Sequence, residues 1–191
     1  MTKTPAFVLG NGKSRMLFEP EKLAIHGWVY GCNALYRTFT PKVLVATDRP
    51  ISNEIMDSGY PAKHEFWTRR PREGTNAHKI ERPYYGMSSG PVAISRAAIR
   101  GHETIYFLGF DLGSPTEFFN NIYADTEHYK SSKDKATYAG NWINQIKEVA
   151  TNFEKTNFVR VVGPESSKVE FGRKNIDLMS TKDLKRKLKR G

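Results

Sequence analysis

Pro5-Ala6-Phe7-Val8-Leu9-Gly10-Asn11-Gly12-Lys13-Ser14 is the stretch on which the fold turns. Its first half is a short apolar run with no polar residue to face water, which reads as a buried strand. Its second half is a glycine-bracketed turn. Glycines let the backbone turn sharply and approach a ligand, and N–H groups freed in such a turn form an anion-binding concavity. Ser14 adds a hydroxyl and Lys13 a charge. The spacing is neither GxGxxG nor that of a P-loop, so an ordinary strand-to-helix turn remains the competing reading.

The same grammar repeats downstream. Trp28–Gly31 (WVYG) reads as a second strand, ending at Cys32-Asn33. Lys42–Thr47 (KVLVAT) reads as a third, ending at Asp48. His64–Thr68 is a short strand, Thr104–Phe110 (TIYFLGF) a core strand ending at Asp111, and Phe158–Val162 the last strand. Between them, residues 51–58 predict a short helix. Ser88–Arg100 predicts a small-residue helix stopped by Gly101. Helical spacing of Trp142, Ile143, Ile146 and Val149 predicts a helix within 135–153. Arg69–Tyr85 and Glu165–Thr181 read as irregular, and 113–133 as a polar, aromatic active-site loop.

Strands alternating with helices predict an α/β fold: a single Rossmann-like domain with a largely parallel sheet and helices on both faces. In such sheets ligands bind outside the carboxyl ends of the strands. The motifs at Gly10-Asn11-Gly12, Cys32-Asn33, Thr47-Asp48 and Asp111-Leu112 therefore converge on one edge. The domain is expected over 1–165, followed by a basic C-terminal extension over 166–191.

The chain has 191 residues, enough for one core without staples. A hydrophobic fraction of 38% with 26% charged residues fits a soluble globular protein. No apolar run approaches the roughly 20 residues of a membrane helix, and the N-terminus shows no signal-peptide core. Cys32 is the one cysteine and forms no internal disulfide, which reads as a reducing, cytoplasmic compartment. Half of the net charge of +10 lies in Lys182–Gly191, where Lys182, Lys185, Arg186, Lys187, Lys189 and Arg190 oppose one acid. Such a run is a candidate for binding nucleic acid or another polyanion, or a solvated helical tail.

Candidate site residues follow from these motifs. Ser88-Ser89-Gly90 opens a helix, where hydroxyls cap the end or help bind an anion. Asp48 and Asp111 are suited to a ribose, a base or a loop backbone. Phe118, Phe119 and Tyr123 are suited to stacking on a base or sugar, or to packing a loop down. His128 is a loop histidine able to act as general base near neutral pH. The remaining histidines are not spaced as metal ligands, so no metal and no cofactor are expected.

The ordered set of motifs resembles the bacterial sialyltransferases of the Campylobacter lipooligosaccharide type. It is also similar to a related uncharacterised group that includes a pterin pyrophosphokinase-like branch. The resemblance spans residues 7–162. It rests on Gly10-Asn11-Gly12 with Ser14, Cys32-Asn33 with Tyr36, and Ser88-Ser89-Gly90. It continues through Gly101-His102-Glu103-Thr104-Ile105-Tyr106, Gly109-Phe110-Asp111, Tyr123-Ala124 and His128-Tyr129. It implies a metal-independent site for a cytidine nucleotide sugar, with Asn11, Asn33, Ser88, Ser89 and Gly90 on the donor nucleotide. It further implies Tyr123 at the leaving phosphate and a histidine as base. The family's histidine falls near Ser132, so His128 takes that role in this reading. Gly113 stands where the family has a tyrosine, and Tyr85-Gly86 where it has an arginine.

The leading expectation is thus a glycosyltransferase-like enzyme moving a sugar from a nucleotide to a hydroxyl acceptor. A polyanionic acceptor such as DNA or an acidic glycan would suit the basic segment, as in a phage-like setting where sugar is placed on modified DNA. The alternatives are a catalytically inactive nucleotide-binding or sequestering protein, and a nucleic-acid-binding protein acting through Lys182–Arg190. The oligomeric state stays open, with a homo-oligomer among the readings.

Overall fold

Each residue of β1 (Ala6–Leu9) is completely buried. A strand with no wet face must be covered on both sides, which is the condition met by a parallel sheet clothed in helices. The computed structural model, which describes residues 1–190, is built this way. After β1 come β2 (Trp28–Cys32), β3 (Val43–Ala46), β4 (Phe66–Thr68), β5 (His78–Lys79), β6 (Thr104–Leu108), β7 (Asn157–Val162) and β8 (Ile176–Ser180). They form one sheet in the order β5-β4-β3-β2-β1-β6-β7-β8. Every neighbouring pair is parallel. The order runs outward from β1 to β5, then the chain returns to the other flank of β1 with β6. The crevice between the carboxyl ends of β1 and β6 is therefore the topological switch point.

Helices α1 (Pro20–His26), α2 (Arg49–Asp57) and α5 (Thr181–Leu188) cover one face, where Phe7, Leu9, Leu23, Leu44, Ile55 and Leu184 form a core. Helices α3 (Ser89–Ile99) and α4 (Gly140–Asn152) cover the other, packing against Val8, Phe107 and Phe158. A proline in the first turn starts both α1 and α2, where its missing N–H costs nothing. Ala93, Ala97 and Ala98 let α3 settle closely onto β1, β2 and β3.

The structure corrects the sequence reading at two irregular stretches. Residues 69–85 contain β5, a two-residue strand on β4. Residues 165–181 contain β8, which pairs with β7 along its full length. Both are edge strands without a fully buried residue, β5 exposed throughout and β8 interrupted by Asp177, so neither shows the apolar run that marks the central strands. Nor is the basic segment a free tail. Ser180 caps α5 by accepting from the Asp183 N–H at 3.0 Å, and Leu184 is fully buried against the sheet.

That burial gives a test. Leu184→Ala is expected to cost about 2–5 kcal/mol and to lower Tm by roughly 5–15 °C. A loosely attached tail would show no change in the melt.

Candidate functional site

A cleft enclosing about 180 Å³ opens at the switch point. Gly10-Asn11-Gly12 line it after β1, Cys32-Asn33 after β2, and Asp48 where α2 begins. Ser88-Ser89-Gly90 enter from α3, Gly109 to Gly113 from the end of β6, Phe119-Asn120-Asn121 from the long loop, and Trp142 from α4. Eight of the nucleotide-site residues expected from sequence thus meet here with Asp111. Ser14 does not line the cleft.

Where the backbone donors go decides what the cleft can hold, because each buried N–H must find a partner. The glycine turn spends most of its own. Gly10 N–H donates to the Leu108 carbonyl and Gly12 N–H to that of Gly109, both at 2.8 Å. Lys13 N–H donates to Asn120 Oδ1 at 3.0 Å and Ser14 N–H to Asp111 Oδ2 at 3.1 Å. Asn11 alone in this turn keeps a free N–H among the described residues. The expected anion concavity is largely filled by the protein itself.

The open donors lie across the cleft at α3. A helix cannot satisfy its own first N–H groups. Ser88 N–H goes to Gln145 Oε1 at 2.9 Å, and Pro91 has none. Ser89 and Gly90 are left with N–H groups free, at the positive end of the helix dipole. The Ser89 hydroxyl is not free. It accepts from Thr47 N–H at 3.0 Å and donates to Asn33 Oδ1 at 2.9 Å. That bond fixes the amide of Asn33, a residue in left-handed backbone at φ 55°, and leaves its Nδ2 as a donor. The Ser88 hydroxyl accepts from Trp142 Nε1 at 3.1 Å and holds the indole in the wall.

The two aspartates divide the roles that sequence left open. Asp111 is buried and accepts from Ser14 N–H, from Asn120 Nδ2 at 3.2 Å and from Ser166 Oγ at 2.8 Å. It is a clasp for the loops. A Cβ on Gly12 would sit 2.4 Å from its Oδ2, so that turn accepts only glycine. Asp48 is exposed at the start of α2 and makes no capping bond, so its carboxylate is available at the mouth of the cleft. Among the described residues, no lysine, arginine or histidine lines the cleft.

Tyr123 and His128 stand behind the lining. Tyr123 is buried, packs at a tilt against Tyr129 with ring centroids 5.4 Å apart, and accepts from Arg15 Nη2 at 3.3 Å. His128 has φ 68° and places Nε2 3.2 Å from Glu54 Oε2. Glu54 lies six residues along α2 from Asp48, about 9 Å of helical rise. Hydrogen bonds from Arg37, at 2.8 and 2.5 Å, hold the Glu54 carboxyl below its ordinary range despite burial. Glu54, Glu127 and His128 bring potential metal-ligand atoms within 4.8 Å of one another. Both Glu54 oxygens are already engaged by Arg37, so the group reads as an ion-pair network. The six basic residues of 182–190 are exposed, with Lys185 lying over the Phe18 ring at 5.4 Å.

Sequence reasoning passed over Asn120, Asn121, Trp142 and Arg160. Trp142 was visible only as one member of a helical apolar pattern. The asparagines had no strand or helix beside them to mark their position.

No family model matches the chain, and no curated protein matches it by sequence. Among solved structures it is similar to the sialyltransferase CstII from Campylobacter jejuni, in complex with a substrate analogue, cytidine-5'-monophosphate. The identity is 14%, the TM-score 0.50, and the match covers 92% of this chain and 84% of that one. This is a likeness of fold. No helix among the described residues is long and apolar enough to cross a membrane.

Cys32 supplies a check on the cleft floor. Burial pushes its thiol up to about 12, against a small opposing pull from Arg15. The thiol is therefore neutral at pH 8, and iodoacetamide is expected to label it only after unfolding. Rapid labelling of the folded protein would show the floor to be open.

Proposed function

We propose that this protein binds a nucleotide sugar in the switch-point cleft and transfers the sugar to a hydroxyl acceptor without a metal. The observation that carries this reading is the pair of free N–H groups on Ser89 and Gly90, opening at a helix N-terminus into the cleft. They suit one phosphate group. The free carboxylate of Asp48 suits ribose hydroxyls, and Trp142 and Phe119 offer apolar walls for a base. A lining without lysine or arginine favours a nucleoside monophosphate donor over a more highly charged diphosphate. The cytidine type rests on the fold likeness to the CMP-bound sialyltransferase.

In the transfer, the acceptor oxygen attacks the anomeric carbon, and the bond from that carbon to the phosphate oxygen breaks. The phosphate leaves with the electron pair, stabilised by the N–H donors of α3. The acceptor proton goes to a base, for which His128 is the candidate. Glu54 orients His128, and movement of the 120–134 loop must bring the imidazole to the acceptor. A polyanionic acceptor, DNA or an acidic glycan, would find the exposed cations of α5.

The placement of His128 favours a second reading as well, a nucleotide binder without turnover. Its imidazole is engaged by Glu54 outside the cleft lining.

A thermal-shift panel of CMP, CDP, UDP, GDP and ADP with their sugars, in chelator and then in magnesium, tests the site. At a hundredfold excess over Kd the folded state gains about 2.7 kcal/mol, a rise in Tm of roughly 5–10 °C. CMP or a CMP-sugar is expected to give it in chelator. No shift with any nucleotide would overturn the nucleotide reading. His128→Ala separates the two functions: a catalyst loses roughly 10²–10⁴ in turnover and keeps its CMP shift, whereas a wild type with no turnover establishes the binder.

A further inference from the structure

The charged side chains buried in the described structure are Arg15, Asp111 and Arg160, two guanidiniums against one carboxylate. Arg160 is satisfied by three backbone carbonyls, at 2.9–3.0 Å. Asp111 is satisfied by the clasp described above. Arg15 is not. It is 8% exposed, makes no ion pair, gives Nη2 to the Tyr123 hydroxyl, and has no partner for Nη1. A desolvated cation left in this state is costly, and an incoming anion would relieve the cost.

Its position suits that role. Arg15 leaves the backbone against Gly109 of the cleft floor, where an added Cβ would meet its own at 2.9 Å. Its cap, Tyr123, stands behind the cleft wall and is bonded to it: Tyr123 N–H donates to Asn121 Oδ1 at 2.9 Å, and Ile122 N–H to the Asn11 carbonyl at 2.8 Å. The one free N–H of the glycine turn, that of Asn11, lies four residues before Arg15 on the same segment.

We propose that Arg15 is a ligand-binding residue, its guanidinium taking an oxyanion of the bound molecule together with the Asn11 N–H, on the β1 side of the cleft opposite α3. The oxyanion displaces the Tyr123 hydroxyl or takes the free Nη1 beside it. It is a phosphate, or the carboxylate of an acidic sugar. Which molecule carries it rests on the nucleotide reading; that Arg15 binds it does not.

The test titrates wild type, Arg15→Met and Arg15→Lys in chelator with CMP, cytidine, inorganic phosphate and free glucuronic acid, reading Tm and tryptophan fluorescence. Arg15→Met puts an apolar chain in place of an uncompensated cation, so its ligand-free Tm is expected to stay level or rise. Its affinity for CMP and for whichever of phosphate and glucuronic acid binds wild type is expected to fall tenfold or more, with cytidine unchanged. An Arg15→Met protein that binds CMP, phosphate and glucuronic acid as wild type does would overturn the proposal and leave the nucleotide reading standing. Wild type that binds phosphate or the acidic sugar through Arg15 but no nucleotide would uphold the proposal and overturn that reading. Wild type that binds none of them overturns both. If Arg15→Met does not fold, Arg15→Lys decides, because it keeps the charge but loses the planar donor fork: weaker oxyanion affinity supports the proposal, and unchanged affinity overturns it.

Discussion

The carboxyl edge of the sheet hangs on one buried side chain of β7. Arg160 has no exposure at all, and burial pulls its pKa down to about 10 against the opposing charge of Asp111. Stripping a guanidinium of water costs several kcal/mol unless its donors are met. Here Nε reaches the Phe110 carbonyl, Nη2 that of Asp111 and Nη1 that of Ser167. These bonds hold the end of β6 and the loop after β7 in one position. Leu112 follows with φ 52°, a conformation that a leucine keeps only where surrounding contacts fix it. With its backbone so held, the Asp111 carboxylate can reach the turn after β1, the Asn120 amide and Ser166 together. One strand interior thus sets the shape of three loops that frame the cleft.

The central strands were legible because they are buried on both faces and so are written as plain apolar runs, from Ala6–Leu9 to Thr104–Leu108. The convergence of Asn11, Asn33, Asp48 and Asp111 followed from strand ends alone. Less legible was how each donor is spent. Gly10-Asn11-Gly12 has the composition of an anion-binding turn, yet Leu108, Gly109, Asp111 and Asn120 consume four of the donors in the Gly10–Ser14 segment. Nothing local to that turn announces partners a hundred residues away. Edge strand β8 escaped notice for the opposite reason: its Asp177 and Leu178 face water, so alternation is lost among the neighbouring charges. Arg160 reads in sequence as an interruption of FVRVV, when it is the residue about which the loops are organised.

The fold likeness to a CMP-bound sialyltransferase and the chemistry of the cleft are separate observations. The first is a matter of topology and does not by itself fix activity. The second concerns a pocket with backbone and amide donors, two carboxylates in its lining and a positive charge close behind its wall. Its donors are fixed in place by the start of α3 and by the strand ends. The long loop carrying Asn120, Asn121, Tyr123 and His128 lacks that rigidity of origin. It is tied to the sheet at Asn11, Ala34 and Asp111 by a few polar bonds, and it is the part of the site least fixed by the sheet.

The register of β1 has a consequence for how the chain is made. Ala6 pairs with Trp28 on one side and with Ile105 on the other. The first neighbour leaves the ribosome soon after β1; the second follows about a hundred residues later. At roughly 5–20 residues per second, the apolar strand that ends as the centre of the sheet spends some 5–20 s as its unprotected margin. β2 to β5 can assemble on it in that time, but its other side presents unpaired N–H and carbonyl groups to any passing extended chain. The length of that exposure is set by the speed of synthesis, not by the stability of the finished sheet.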